Sequence, residues 1–303
     1  MAEKQSEEVL VDVGGRTLKI SNLAKVMYPT TGTTKGEVLN YYARVAPVLL
    51  PHLADRAVTR IRWPHGTGGM QFFEKNLPSG APGWLHSVTV PSTGSRGGGD
   101  TISYPVIDGL ADLTYFANLA SLELHVHQWT VGEDGKPENP NRLVIDLDPG
   151  APAGLQECCR VALVVRDALT QQGLSAAPVT SGSKGLHLYA ALPGDLSADE
   201  VRDQAQEIAR ELTGERPELV LWKMTKSLRG GKVFLDWSQN TGAKTTISPY
   251  SLRGRDRPYV ATPRTWEEVE DGAEEGLGQL EMDDVLARVE EDGDVFGDLL
   301  GGP

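Results

Sequence analysis

Apolar and polar positions along this chain alternate with two different periods, and the switches between them mark the predicted elements. A period of two, which puts alternate side chains on one face of a strand, runs through residues 9–20 on either side of Gly14-Gly15, through 57–63, 85–90 and 101–106, and through 124–129. A period near 3.6 predicts helices at 35–50, 110–122, 154–172, 198–213 and 282–290, with another beginning at 266–269. Thr33 or Thr34 is placed to cap the first of these, with Glu37 in its first turn and Pro51 beyond its end. Leu143-Val144-Ile145-Asp146-Leu147-Asp148 is a short apolar run carrying two aspartates, stopped by Pro149-Gly150, and reads as a buried strand. A second such strand, Val233-Phe234-Leu235-Asp236, also ends in an aspartate, and 219–222 begins another.

Composition adds a constraint on partners. The net charge of -13 argues at first against nucleic acid, but residues 267–303 hold fourteen acidic side chains and one basic one, Arg288. The rest of the chain is neutral and concentrates Lys223, Lys226, Arg229, Lys232, Lys244, Arg253, Arg255 and Arg257 within 223–257. Such a local basic patch suits phosphate. No apolar run approaches a membrane span, and the N-terminus lacks a signal-peptide pattern. The two cysteines, Cys158 and Cys159, are adjacent in a helical stretch, a spacing for neither a bridge nor a metal site. A reducing, cytoplasmic setting is expected, with association to the nucleoid if the partner is DNA.

The candidate chemistry centres on the aspartates. Asp146 and Asp148, two apart on a strand, share a face, where a divalent cation such as Mg²⁺ or Mn²⁺ would relieve their repulsion; the alternative is that one caps the next element and the other is solvated. Asp236 is the natural third carboxylate, completing a ligand set for a pair of such ions. Thr180-Ser181-Gly182-Ser183-Lys184-Gly185-Leu186-His187 offers N–H groups, hydroxyls and an ammonium to phosphate oxygens. Lys25 and Lys35 flank a hydroxyl-rich turn at a helix start, either a phosphate site or two solvated lysines. Phe72 and Phe73 are a stacking platform, or one of them is core, with core packing favoured by the alternation of faces. His125 and His127 fall on one face, as metal ligands or as exposed strand positions, the latter favoured. The glycine-rich stretch at 92–100 reads as a loop.

Seven collinear stretches carry a resemblance. Lys25-Val26-Met27-Tyr28-Pro29, Thr31-Gly32-Thr33-Thr34-Lys35, Phe72-Phe73-Glu74-Lys75, 143–150, 180–189, 226–240 and 244–254 together resemble the polymerase domain of the bacterial ligase D family of non-homologous end joining. That family lies within the archaeo-eukaryotic primase superfamily, and this chain resembles its stand-alone actinobacterial form. The resemblance implies metal binding by Asp146, Asp148 and Asp236, and triphosphate binding by Ser181, Lys184, His187 and Arg253, with His125 near the sugar. It places Arg229, Lys232, Gln239 and Lys244 around nucleotide and primer, Phe72 and Phe73 against DNA, and Lys25 and Lys35 on a 5′-phosphate at a break or gap.

The expectation is therefore an α/β (α+β) protein with a mixed, largely antiparallel sheet in two lobes around one cleft. Residues 1–303 would form a single primase-polymerase catalytic domain with an acidic segment from about 266. Its reaction would be template-dependent nucleotidyl transfer with two Mn²⁺ or Mg²⁺ ions, ribonucleotides preferred over deoxyribonucleotides by resemblance. DNA with breaks, gaps or overhangs would be the partner, with an end-binding protein and a ligase in trans; end joining, gap filling and priming stay open. The rival readings are a metal-dependent phosphodiesterase or nuclease and a non-catalytic DNA-end bridging module.

Overall fold

The computed structural model describes residues 8–91 and 101–299, so the glycine-rich stretch at 92–100 and the last four residues lie outside the described residues. The run with the two aspartates becomes the strand Arg142–Pro149, in the middle of a six-stranded sheet. Across the sheet the order is Val220–Leu221, Val233–Asp236, Arg142–Pro149, Leu186–Ala191, Ala176–Thr180, Thr262–Pro263. Every pairing is antiparallel except that of Val220–Leu221 with Val233–Asp236. Leu143, Ile145 and Leu147 point to the face covered by the helices Leu155–Gln171, Ala198–Glu215 and Trp266–Glu275, in an apolar cluster that includes both cysteines.

A second sheet orders Thr246–Ile247, Ser121–Val126, Val58–Arg62 and Phe72–Glu74. Its Leu122, Leu124 and Val126 pack against the helices Lys35–Leu53, Leu110–Asn118 and Met282–Asp292. The remaining faces of the two sheets meet through Val144, Ala177, Val179 and Tyr189 on one and Ile247 on the other, with Phe296 from near the C-terminus wedged among them. The result is two sheet-and-helix lobes around one cleft. The even-numbered residues of Arg142–Pro149 face inward to it.

Two expected helix ends shift. The first helix is capped by Thr34 in a reciprocal pair with Glu37, as its sequence predicts, but it continues through Pro47 and Pro51 to Leu53. Both prolines face solvent, where the carbonyls they leave without a donor can be hydrated, while Val45, Leu49 and Leu53 stay fully buried. The helix expected to reach residue 122 ends at Asn118, because Ala120 adopts a left-handed φ of 61° and the chain turns into the strand Ser121–Val126. The acidic C-terminal segment folds back on the body. Glu268 holds Arg264 and Arg288, Glu270 holds Arg166, Glu281 holds Arg257 and Glu290 holds Arg44, so its charge is spent partly on the protein's own arginines.

Candidate active site

Strand register assembles the site. Asp146 stands opposite His187 on one neighbouring strand and opposite Asp236 on the other, giving a row His187–Asp146–Asp236 across three strands. Asp148 follows one step along the same face. His187 Nε2 lies 3.2 Å from Asp146 Oδ1, and its Nδ1 lies 3.2 Å from the Tyr189 hydroxyl, which donates to the Ile247 carbonyl at 2.9 Å. Gln239 Nε2 reaches both Asp236 Oδ2, at 3.1 Å, and Asp146 Oδ2, at 3.5 Å. Each oxygen of Asp148 faces a cation: Lys184 Nζ at 2.7 Å on one, Arg229 Nη1 at 2.8 Å on the other. Arg229 is itself stacked on Phe234. Asp236 Oδ1 accepts from the backbone N–H and hydroxyl of Ser238, whose hydroxyl is met by Lys244 Nζ. The capping role weighed for Asp146 or Asp148 thus falls to Asp236, at the start of the short helix Trp237–Asn240.

Burial works to raise the Asp146 pKa, but His187, Arg253 and Lys184 outweigh it and hold the carboxyl below its ordinary range. The carboxylate is therefore ionised at neutral pH, and the cluster presents negative oxygens inside a ring of positive side chains. Among the described residues no three His, Cys, Asp or Glu side chains are drawn together as a ready-made metal cage. The donor set is nevertheless hard oxygen only, which fits Mg²⁺ or Mn²⁺. Asp146 and Asp236 stand in adjacent register, and the cations on Asp148 occupy the oxygens a metal ion would take.

The Ser-Gly-Ser-Lys loop is built differently from a free N–H cradle. Ser181 Oγ accepts from the N–H groups of Ser183 and Gly185, and the Gly182 N–H donates to Gln279. Only glycine fits at 182: its φ is +64°, and a Cβ there would fall 2.5 Å from Arg253 Cγ. That close approach sets the loop against Arg253, whose Nη1 lies 3.4 Å from Glu123 on the other sheet. The loop thus offers the Lys184 ammonium, 63% exposed at its side chain, while the N–H groups of Ser181, Gly182, Ser183 and Gly185 are already bonded.

Other expected site residues separate. His125 shares the cleft-facing side of its strand with Glu123, 2.7 Å away. Neither His125 nor His127 is an exposed strand position. His127 is buried between Tyr104 and Trp129, where it lines a cavity of about 650 Å³ that is lined by none of Asp146, Asp148 and Asp236. Phe72 and Phe73 are both exposed, at 43% and 59%, so the expectation that one is core fails. They lie on a three-residue edge strand, where neither face is covered. Lys35 is not solvated: it is buried, and its ammonium donates to the Ser21 carbonyl and to Asn118 Oδ1, each at 2.7 Å. Lys25 donates to the Pro64 carbonyl. Lys232 points to the Pro217 carbonyl and makes no contact with the cluster. Sequence reasoning missed Glu123, Tyr189, Ser238 and Gln279. Glu123 precedes His125 and Tyr189 follows His187, each at the spacing of two that strands impose, a signal available in the sequence; Gln279 gives none.

The family model of the LigD primase-polymerase domain matches residues 34–296. The chain belongs to the LigD primase-polymerase domain family. It is 48% identical to the multifunctional non-homologous end joining protein LigD of Mycolicibacterium smegmatis over 93% of this chain and 36% of that protein. It is 33% identical to the bifunctional LigD of Bacillus subtilis, over 94% of the chain and 44% of that protein. The chain thus spans less than half the length of these relatives. The solved polymerase domain of Mycobacterium tuberculosis ligase D, in complex with DNA, superposes with a TM-score of 0.88 at 48% identity, covering 94% of this chain and 99% of that one. Membership places the chain among nucleotidyltransferases of the primase-polymerase type, and the two-lobed, largely antiparallel fold agrees with it.

Proposed function

We propose that this chain, as one catalytic domain, extends or fills DNA at breaks and gaps by template-dependent nucleotidyl transfer in end-joining repair. The observation that carries this reading is the row of Asp146 and Asp236 with Asp148 beside them, ringed by Lys184, Arg229, His187, Arg253 and Lys244. Carboxylates that need a metal and cations that suit phosphate, on one face of one sheet, match a nucleoside triphosphate better than a neutral substrate.

Asp146, Asp148 and Asp236 would hold two divalent ions, Mg²⁺ or Mn²⁺, which when bound would lower the pKa of the attacking 3′-hydroxyl and neutralise the leaving pyrophosphate. Lys184 and Arg229, bonded to Asp148 without a nucleotide, would move to phosphate oxygens when one enters. Arg253 and His187 would hold the triphosphate, Gln239 would keep Asp146 and Asp236 in place, and Lys244 would steady Asp236 through Ser238. Phe72 and Phe73, exposed on their edge strand, would stack on template or downstream duplex. Lys25 and Lys35 would receive a 5′-phosphate beyond the gap. Ribonucleotides are the preferred substrates in this reading, and joining the filled strand falls to a ligase. An end-binding protein would bring the ends, at the nucleoid; no helix among the described residues is long and apolar enough to cross a membrane.

Incubating the protein with a gapped primer–template, labelled nucleotides and Mn²⁺ or Mg²⁺ tests the reading. Template-directed extension is expected. Shortening of the primer would instead indicate a nuclease, and neither outcome a bridging module.

A further inference from the structure

Glu123 is a carboxylate buried between the lobes, 5% exposed at its side chain, with a donor at every turn. It sits two residues before His125 on the strand Ser121–Val126, on the same face. Its Oε2 lies 2.7 Å from His125 Nε2 and 3.4 Å from Arg253 Nη1, and its Oε1 accepts the Gly254 N–H at 2.9 Å. One carboxylate therefore ties together a strand of one sheet and the distant segment that carries Arg253 past the Ser181 loop. Burial alone would raise its pKa, but the bond from His125 and the charge of Arg253 hold it down to about 2. An ionised carboxylate only accepts, so the His125 proton must lie on Nε2. Burial lowers the His125 pKa, which leaves the ring neutral and Nδ1 a free lone pair.

We propose that Glu123 is a positioning residue for nucleotide binding: it aims the Arg253 guanidinium at the phosphates and fixes the His125 tautomer so that Nδ1 accepts a hydrogen bond from a sugar hydroxyl. The inference rests on the reading of this face as the nucleotide site. It adds that sugar recognition is set by a residue that touches no nucleotide. Glutamine cannot replace Glu123 without loss, because three donors converge on it and an amide supplies one acceptor oxygen and one further donor.

The test compares Glu123→Gln with Glu123→Asp, which keeps the charge but withdraws it by one methylene. Binding of a ribonucleoside triphosphate and of its 2′,3′-dideoxy counterpart is titrated well below each variant's melting temperature, beside DNA binding. For both variants, ribonucleotide affinity should fall about tenfold, and the ribo-to-dideoxy ratio should shrink, with DNA affinity within about twofold. In an Arg253→Ala, His125→Ala background, Glu123→Gln should cost no further nucleotide affinity. A wild-type ratio in both variants, or an undiminished loss in that background, overturns the inference. If Arg253→Ala and His125→Ala themselves leave nucleotide binding unchanged, the nucleotide reading of the site falls instead, and this inference with it.

Discussion

Asp146 and Asp236, far apart in the chain, stand opposite one another on adjacent antiparallel strands, and one amide, Gln239 Nε2, reaches both carboxylates. Two like charges in that register repel. The structure offsets the repulsion with His187, Gln239 and the serine cap on Asp236. On the proposed reading both charges serve as metal ligands. Asp146→Ala, Asp148→Ala and Asp236→Ala should each reduce primer extension about a thousandfold or more, since a misplaced metal forfeits several kcal/mol of transition-state stabilisation. Asp146→Asn should be equally inactive and should lower the melting temperature somewhat, because the fold favours the ionised carboxylate at this position. Extension assays and thermal melts on the same preparations check this; wild-type activity in any one of the alanine variants would sink the assignment.

Lys184 and Arg229 both grip Asp148, yet they differ in freedom: Lys184 is 63% exposed and Arg229 20%, stacked on Phe234. Lys184 is the freer of the two to follow a phosphate. Lys184→Ala should weaken nucleotide binding about tenfold and leave DNA affinity within about twofold, as expected for one charged hydrogen bond. Paired nucleotide and DNA titrations decide; an equal loss in both would move Lys184 to the DNA path.

Phe72 and Phe73 expose their rings on an edge strand anchored at its end by Glu74, which accepts from Arg62 at 2.6 Å. Substituting either by Ala should cost about 1–3 kcal/mol of affinity for gapped DNA. The salt dependence of binding should not change, because no phosphate contact is lost. Binding isotherms at several salt concentrations test both points, and a flattened salt slope would refute the stacking role.

Lys35 has its pKa pushed down to about 8, by burial first and by the charge of Lys25 second. It is still mainly protonated at pH 7 and loses its charge as pH rises through about 8, well before an ordinary lysine. If this pair receives a 5′-phosphate, the preference for 5′-phosphate over 5′-hydroxyl gaps should be full near pH 7 and should fade above about pH 8. Lys35→Ala should remove that pH dependence. Gap binding measured from pH 7 to 9.5 checks it; a preference flat across that range would exclude Lys35 from the pocket.

His127 is buried, with the backbone of Gly242 and Lys244 beside its ring but no well-formed hydrogen bond to either nitrogen among the described residues, and burial brings its pKa down to about 4. Its folded pKa lies below the unfolded value near 6.5, so the unfolded chain binds the proton first as pH falls. The stability concerned is fully present above pH 6.5 and is lost as pH drops through about 4, on the order of 3 kcal/mol in total. His127→Phe should flatten the fall in melting temperature between pH 7 and 4.5. An unchanged pH profile would show that His127 does not control it.

Features set by neighbours along the chain were legible from the residues alone. Thr34 and Glu37 cap their helix because both partners lie within one turn. Asp146 and Asp148 share a face because a strand repeats every two residues. The collinear motifs were enough to place the family, and the apolar run from Leu143 was enough to name the central strand. Features that depend on contacts between distant segments were not legible there. The solvent-facing side of Pro47 and Pro51, and the core on the helix's other side, let a helix run through residues that would end it in isolation. The left-handed turn at Ala120 cuts short an apolar pattern that still reads as helix. Edge position exposes both Phe72 and Phe73, and the carbonyl of Ser21 and the side chain of Asn118 bury Lys35. Pairing of Asp146 with His187 and Asp236, and the meeting of Glu123 with Arg253, follow from strand order and lobe packing, which no spacing within one segment encodes.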